Sequence, residues 1–151
     1  MDVVQELVRT WSQAGVAFGP GASGASLAAF ESRHRVVLPA DFRCYLQLVN
    51  GTGSGCDDEF YRFAPLREVA PVADSWGTSD NGVDNFSGCF VFADWAISCW
   101  DYAIQLAGPG HEIGRVFCVE SAATKPKPMT PSFGEWLSIY LRDRDRLVPG
   151  A

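Results

Sequence analysis

No stretch of this chain is apolar for anything near the roughly 20 residues a helix needs to cross a bilayer. The N-terminus, MDVVQELVRTW, carries acids early and has no apolar signal core. A soluble protein that stays in the cytoplasm, with no membrane partner, is therefore expected. Histidine is scarce: His34 and His111 are far apart, and neither has a cysteine close in sequence, so no metal-ligand set is legible. The five cysteines (Cys44, Cys56, Cys89, Cys99, Cys118) are an odd, widely spaced set with no Cys-x-x-Cys. A disulfide framework wants an even number in a short secreted chain, so buried reduced thiols acting as small hydrophobes are expected.

Catalytic signatures are missing too. The GTGSG run from Gly51 to Gly55 follows a helical pattern instead of a strand, lacks Gly-Lys-Ser/Thr, and is trailed by acids that repel phosphate. It reads as a connector. Cys56 is followed by three acids, which oppose thiolate formation and argue against a nucleophile. The acid pairs Asp57/Asp58 and Asp80/Asp84 are neighbours on loops, which is no sign of a shared acid–base site. No catalytic residue, cofactor or metal is assigned.

What is present is a chain of 151 residues, 47% hydrophobic and 13% aromatic, enough for one domain over 1–151 with a real core. Its net charge of −6 is uneven. Between Ser54 and Asp101 lie nine acids and only two bases, Arg62 and Arg67, a balance of −7; the rest has ten bases and nine acids, a balance of +1. Such a segment disfavours nucleic acid and favours a basic protein partner. The plainer alternative is that the acids keep a small domain soluble.

Val4, Leu7, Val8 and Trp11 form one face of a first helix, broken by Gly15 and FGPGASG. A second helix is expected from about Ser26, as cap, to about His34, with Leu27 and Phe30 inward. Pro39 sits near the first position of a third helix, Asp41 in its first turn, and Asn50-Gly51 supplies a left-handed stop. Glu59–Phe63 alternates like a strand, and a short helix is expected near Pro65–Val69. Gly88–Asp94 is apolar on both faces, as in a central strand. Asp101–Leu106 alternates, with one wet face expected, and Arg115–Val119 completes an antiparallel meander. Lys125-Pro126-Lys127-Pro128 reads as a stiff connector. Ser132 and Glu135 frame a capping box for a last helix with Phe133, Trp136, Leu137, Tyr140 and Leu141 inside, and Asp143–Arg146 reads as its solvated end. The expected fold is α+β: N-terminal helices, a central antiparallel β-sheet meander, and a C-terminal helix packed on the sheet.

Glu31, Leu38-Pro39, Asp41-Phe42, Leu46 and Asn50-Gly51 resemble, in order and spacing, the SUKH superfamily (the Smi/Knr-like family). Phe92-Ala93-Asp94 is similar to its strand ending in an acid, and Ser132-Phe133, Trp136-Leu137 and Tyr140-Leu141 to its closing helix. The likeness runs along nearly the whole chain. It departs at His34 and Arg35, where members usually show leucine and glycine, so the end of helix two is expected to be built differently. The resemblance implies an immunity protein that binds and neutralises a cognate polymorphic toxin, not an enzyme. The acidic segment adds that the toxin is basic, as a nuclease domain gripping phosphates tends to be. The expected contact residues are Asp57, Asp58, Glu59, Asp80, Asp84 and Asp101 as charge, with Trp76 and Trp95 as anchors. For Trp95 and Trp100, closing the edge of the core is the plainer role. A regulatory scaffold module is the rival binding function, and a small hydrolase with an unrecognised site the rival enzyme.

Overall fold

In the computed structural model, residues 2–76, 86–108, 111–120 and 125–149 are described. Three helices come first: α1 (Val3–Ala14), α2 (Gly24–His34) and α3 (Ala40–Leu48). Six strands follow, β1 (Tyr61–Phe63), β2 (Ala70–Pro71), β3 (Cys89–Trp95), β4 (Trp100–Gln105), β5 (Val116–Glu120) and β6 (Lys127–Thr130), with the short α4 (Val72–Trp76) between β2 and β3. Helix α5 (Phe133–Arg142) and a 3-10 turn, Arg144–Leu147, close the chain. All strand pairs are antiparallel, in the order β1-β3-β4-β5-β6. Strand β2 shares the outer edge of β3 with β1, separated from it by a 3-10 turn at Leu66–Glu68. The fold is α+β, as expected.

Local chemistry explains the helices. Asp2 caps α1 by accepting from Val4 N, and Gly15 ends it in a left-handed turn (φ 71). The cap of α2 is Ser23, not Ser26: the Ser23 hydroxyl accepts from Ser26 N, so the helix begins three residues earlier than a Ser26 cap implies. At its other end Arg35 takes the left-handed conformation (φ 55) in which glycine is usual, and its N–H still reaches Glu31 O. Ser132 Oγ accepts from Glu135 N and starts α5.

The residues that carry the family likeness turn out to be joints. The Glu31 carboxylate accepts from Leu38 N at 2.8 Å and pairs with Arg43, fastening the end of α2 to the start of α3. Asp41 accepts from Gly134 N at 2.9 Å, binding α3 to the first turn of α5 across 93 residues. Asn50 (φ 53) accepts from Leu66 N, and Gly51 (φ 79) has backbone atoms of residues 63–65 within 2.7 Å of where a Cβ would stand.

The main core lies between the sheet and α1, α3 and α5. Trp136 is fully buried, with Phe63, Phe92 and Tyr102 at ring distances of 5.7, 5.0 and 5.0 Å. The Phe63 and Phe92 pairs are edge-to-face, and such pairs add about 0.5–1.5 kcal/mol each beyond area burial. A second cluster, Val72, Cys89, Ala103, Phe117 and Val119, covers the other face of the sheet, with Phe86 and Val91 against it.

Three sequence expectations are corrected. The wet face of β4 is absent: Asp101, Ala103 and Gln105 are all buried, Ala103 within the second cluster, Gln105 donating to Ser87 O at 2.9 Å, and Asp101 at the floor of a groove. Lys127-Pro128 is not a connector but part of β6, where proline is tolerated because the strand pairs on one side only. The Asp143–Arg146 end is not wholly solvated, since the Arg144 side chain turns inward to Asp57.

Candidate protein-binding surface

One end of the sheet gathers three separate pieces of chain: the loop leading into β1, the β3–β4 turn, and the C-terminal 3-10 turn. Asp57 organises the first. Its Oδ1 accepts from Glu59 N at 2.8 Å and Tyr61 N at 2.9 Å, which curls the loop. Its Oδ2 accepts from the Tyr140 hydroxyl and from Arg144 Nη1 at 3.2 Å. Tyr140 in turn accepts from Trp11 Nε1 at 3.0 Å, and the Arg144 guanidinium lies 4.2 Å from the centre of the Tyr140 ring. Burial, together with the adjacent Asp57 carboxylate, pushes the Tyr140 hydroxyl well above the ordinary phenol range, so it stays a donor. Asp57 is thus an internal tie joining α1, α5 and the C-terminal turn to the loop, and little of it faces solvent.

The next residues face out. Asp58 is exposed, and Glu59 is exposed while pairing loosely with Arg144 at 3.4 Å. Phe60 follows, 61% exposed and left-handed (φ 72). Its carbonyl accepts from Ala96 N at 3.0 Å, linking the loop to the β3–β4 turn. In that turn Ala96, Ile97 and Ser98 all have positive φ (49, 58 and 58). Non-glycine residues enter this region singly as a rule, at about 1–2 kcal/mol each. The turn holds because Cys99 N donates to Trp95 O at 2.9 Å and Ser98 N to Asp94 Oδ1 at 3.2 Å. Ile97 stands at its tip, 98% exposed.

Trp95 and Trp100, at the strand ends, stack at 4.4 Å with their planes 10° apart, and Trp95 Nε1 donates to Glu59 O at 2.9 Å. Both are partly buried against the main core, so they brace the strand ends that carry the turn. Beside them a groove of about 320 Å³ is lined by Arg62, Glu68, Val91, Asp94 and Asp101. Arg62 bridges Glu68 at 2.6 Å and Asp94 at 3.8 Å, and burial raises the Asp94 carboxyl above its ordinary range despite the Ser98 N–H and Arg62. Asp101 is buried in the groove. Counting Asp57, Asp58, Glu59, Glu68, Asp94 and Asp101 against Arg62, Arg67 and Arg144, six acids meet three bases here.

Of the residues expected from the sequence, Asp57, Asp58, Glu59, Trp95 and Asp101 are therefore brought to one end of the sheet. The side chain of Trp76 and the residues Asp80 and Asp84 lie outside the described residues. Phe60 and Ile97 were not anticipated, since a hydrophobic residue in sequence reads as core; the left-handed backbone that turns them outward has no local signature.

Among the described residues, no cluster of His or Cys with catalytic or metal-ligand character accompanies this surface. His34 packs on Phe30 and Phe90 at 4.6 and 5.0 Å, and His111 on Phe117 at 4.8 Å. Cys89 and Cys118 are buried, and burial pushes both thiols up to about 12, beyond use as nucleophiles. Among the described residues, no three His, Cys, Asp or Glu side chains group as a metal site would require.

The signature residues are joints and the exposed chemistry lies in acids and apolar tips, and the sequence matches the SMI1 / KNR4 family (SUKH-1) over residues 21–139. The chain belongs to that family. Membership makes it an immunity or Smi1-like protein in general terms, one that works through protein–protein contact and not, as a rule, by catalysis. No curated protein matches the chain. Among the described residues no helix is long and apolar enough to cross a membrane.

Proposed function

We propose that this SUKH-1 chain acts as a single-domain immunity protein in the cytoplasm, binding a cognate toxin domain and blocking its active site or substrate groove. The observation that carries the reading is the acid-rich end of the sheet on a family fold of this kind. The partner is basic, as a nuclease domain built to grip phosphates is. Asp58 and Glu59 supply the outward charge, and Asp80 and Asp84, outside the described residues, are further contact residues of this reading. Asp101 adds to the field of the groove, and Asp57 acts through the loop it holds. Trp95 and Trp76 serve as anchors. Blocking is steric and electrostatic, with no covalent step.

Complementary charge of this sort acts mainly on the rate of association. The test is to co-express the chain with the product of the neighbouring reading frame, purify the complex, and follow association at rising ionic strength. A stoichiometric complex whose association slows about tenfold or more between low and high salt is the expected result. A complex with a salt-independent association rate would overturn the electrostatic mechanism. Recovery of housekeeping proteins only, and no toxin, would move the chain to a scaffold function.

A further inference from the structure

The acids explain attraction, but they do not explain why the protein holds two large apolar side chains in solvent on a strained backbone. We infer that Phe60 and Ile97 form a rigid pair of prongs that enters an apolar cleft on a basic partner, with the surrounding carboxylates meeting lysines or arginines at the rim of that cleft. This inference rests on the toxin-binding reading and specifies its contact.

Single exposed hydrophobics are ordinary on protein surfaces. These two are different because the fold brings them together. They line one shallow cavity of about 350 Å³, with Cys56, Arg62, Asp94 and Ala96 between and beside them. The hydrogen bond from Ala96 N to Phe60 O ties the two prongs to each other, and the one from Trp95 Nε1 to Glu59 O ties both to the sheet. Their backbone is fixed before any partner arrives, so little conformational freedom is left to lose on binding. Apolar centres ringed by charge are the usual form of an interface hot spot.

The backbone argues in the same direction. Asparagine or glycine at position 97 would relieve the left-handed strain, yet a β-branched residue stands there fully exposed, where it contributes nothing to the core. The side chain is of use only to something outside the molecule. Charge selects the kind of partner: the exposed Asp58 and Glu59 precede Phe60 directly, and this end of the sheet carries six acids against three bases, all three already paired, which would repel an acidic surface and hold a basic one.

Two exposed thiols make the test direct. Cys56 lines the cavity between the prongs and Cys99 closes the β3–β4 turn, while Cys89 and Cys118 are buried. The probe is the purified toxin domain recovered in the co-expression above. Four proteins are compared for affinity and melting temperature: wild type, Ile97→Asn, Phe60→Ser, and Val37→Asn as a control at an exposed apolar residue remote in sequence. Ile97→Asn is expected to bind about 30-fold more weakly or worse, on the scale of an interface hot spot. It should also melt about 2–4 °C higher, because asparagine tolerates the left-handed conformation. Phe60→Ser should weaken binding similarly, and Val37→Asn should not. In the wild-type complex, alkylation of Cys56 and Cys99 should slow about tenfold relative to the free protein, following their loss of exposure.

Full affinity of both prong variants, or unchanged alkylation of Cys56 and Cys99 in the complex, would overturn the inference and leave the toxin reading intact. Failure of the wild type to bind the toxin domain would remove both. Should a variant not fold, the alkylation of the wild-type complex decides alone.

Discussion

Replacing Asp57 with alanine removes one carboxylate and strands four donors. Glu59 N and Tyr61 N lose the acceptor that curls the loop, the Tyr140 hydroxyl loses its acceptor, and Arg144 loses its nearer ion-pair partner. The Asp57 side chain is 2% exposed and that of Arg144 19%, so this is a largely desolvated pair. Breaking such a pair from one side costs about 3–5 kcal/mol. Arg144 keeps Glu59 at 3.4 Å and some access to water, which pulls the figure toward the lower end. The orphaned Tyr61 N–H and Tyr140 O–H, at about 1–3 kcal/mol each, push it back up, and the contributions overlap because they share one network. The expected loss is about 4 kcal/mol, or about 10 °C in melting temperature for a chain of this size. Asp57→Asn keeps Oδ1 as acceptor for the two backbone N–H groups but replaces the Oδ2 acceptor with an NH2 donor facing Tyr140 and Arg144, so it should recover only part of the loss. Urea unfolding of both variants, with Arg144→Met and the Asp57→Ala/Arg144→Met double variant, completes the measurement. A coupling of about 1–3 kcal/mol between positions 57 and 144 is expected. A loss below about 1 kcal/mol for Asp57→Ala, or strict additivity in the cycle, would refute the claim that this carboxylate is an internal tie.

Two further consequences concern the joints. A Cβ added at Gly21 would lie 1.6 Å from the backbone carbonyl oxygen of Gln47, which no side-chain movement can relieve. Gly21→Ala should therefore cost about 3 kcal/mol or more, and an unchanged urea midpoint would contradict the close packing of that loop on α3. The hydrogen bond from Arg43, and then the Leu38 N–H, hold the Glu31 carboxyl below its ordinary value of 4.5. Since its folded pKa is the lower one, its stabilisation is fully present above pH 4.5 and is lost as pH falls through the folded value. Wild type should lose stability on going from neutral pH to about pH 3 more steeply than Glu31→Gln, which should be weaker than wild type at pH 7. Parallel stability–pH curves for the two proteins would rule out that role for Glu31.

Much of the fold is written locally. The apolar face of α1, the Leu38-Pro39 step, the Ser132 cap and the short connections of the meander all rest on contacts within a few residues, so periodicity and turn chemistry reveal them. The spacing of Glu31, Asp41 and Asn50-Gly51 was legible as a family pattern, although its purpose, tying α2 to α3, α3 to α5 and the loop to Leu66, was not. Composition also exposed the acidic bias of residues 54–101 and the lack of a catalytic signature.

The rest depends on what meets what across long stretches of chain. The alternation of β4 is the same whether its second face is wet or roofed, and only the packing of Val72, Phe86 and Phe117 against that side decides it. Lys127-Pro128 reads as a linker until the sheet gives it an edge to occupy. Asp57 and Asp58 are identical neighbours in sequence, yet one is buried and one exposed, because Tyr140 and Arg144, 83 and 87 residues away, arrive beside the first and not the second. Phe60 and Ile97 carry the same hydrophobic signal as the core around them. Their place on the outside is set by a left-handed backbone that long-range hydrogen bonds hold in position, and no local pattern encodes those bonds.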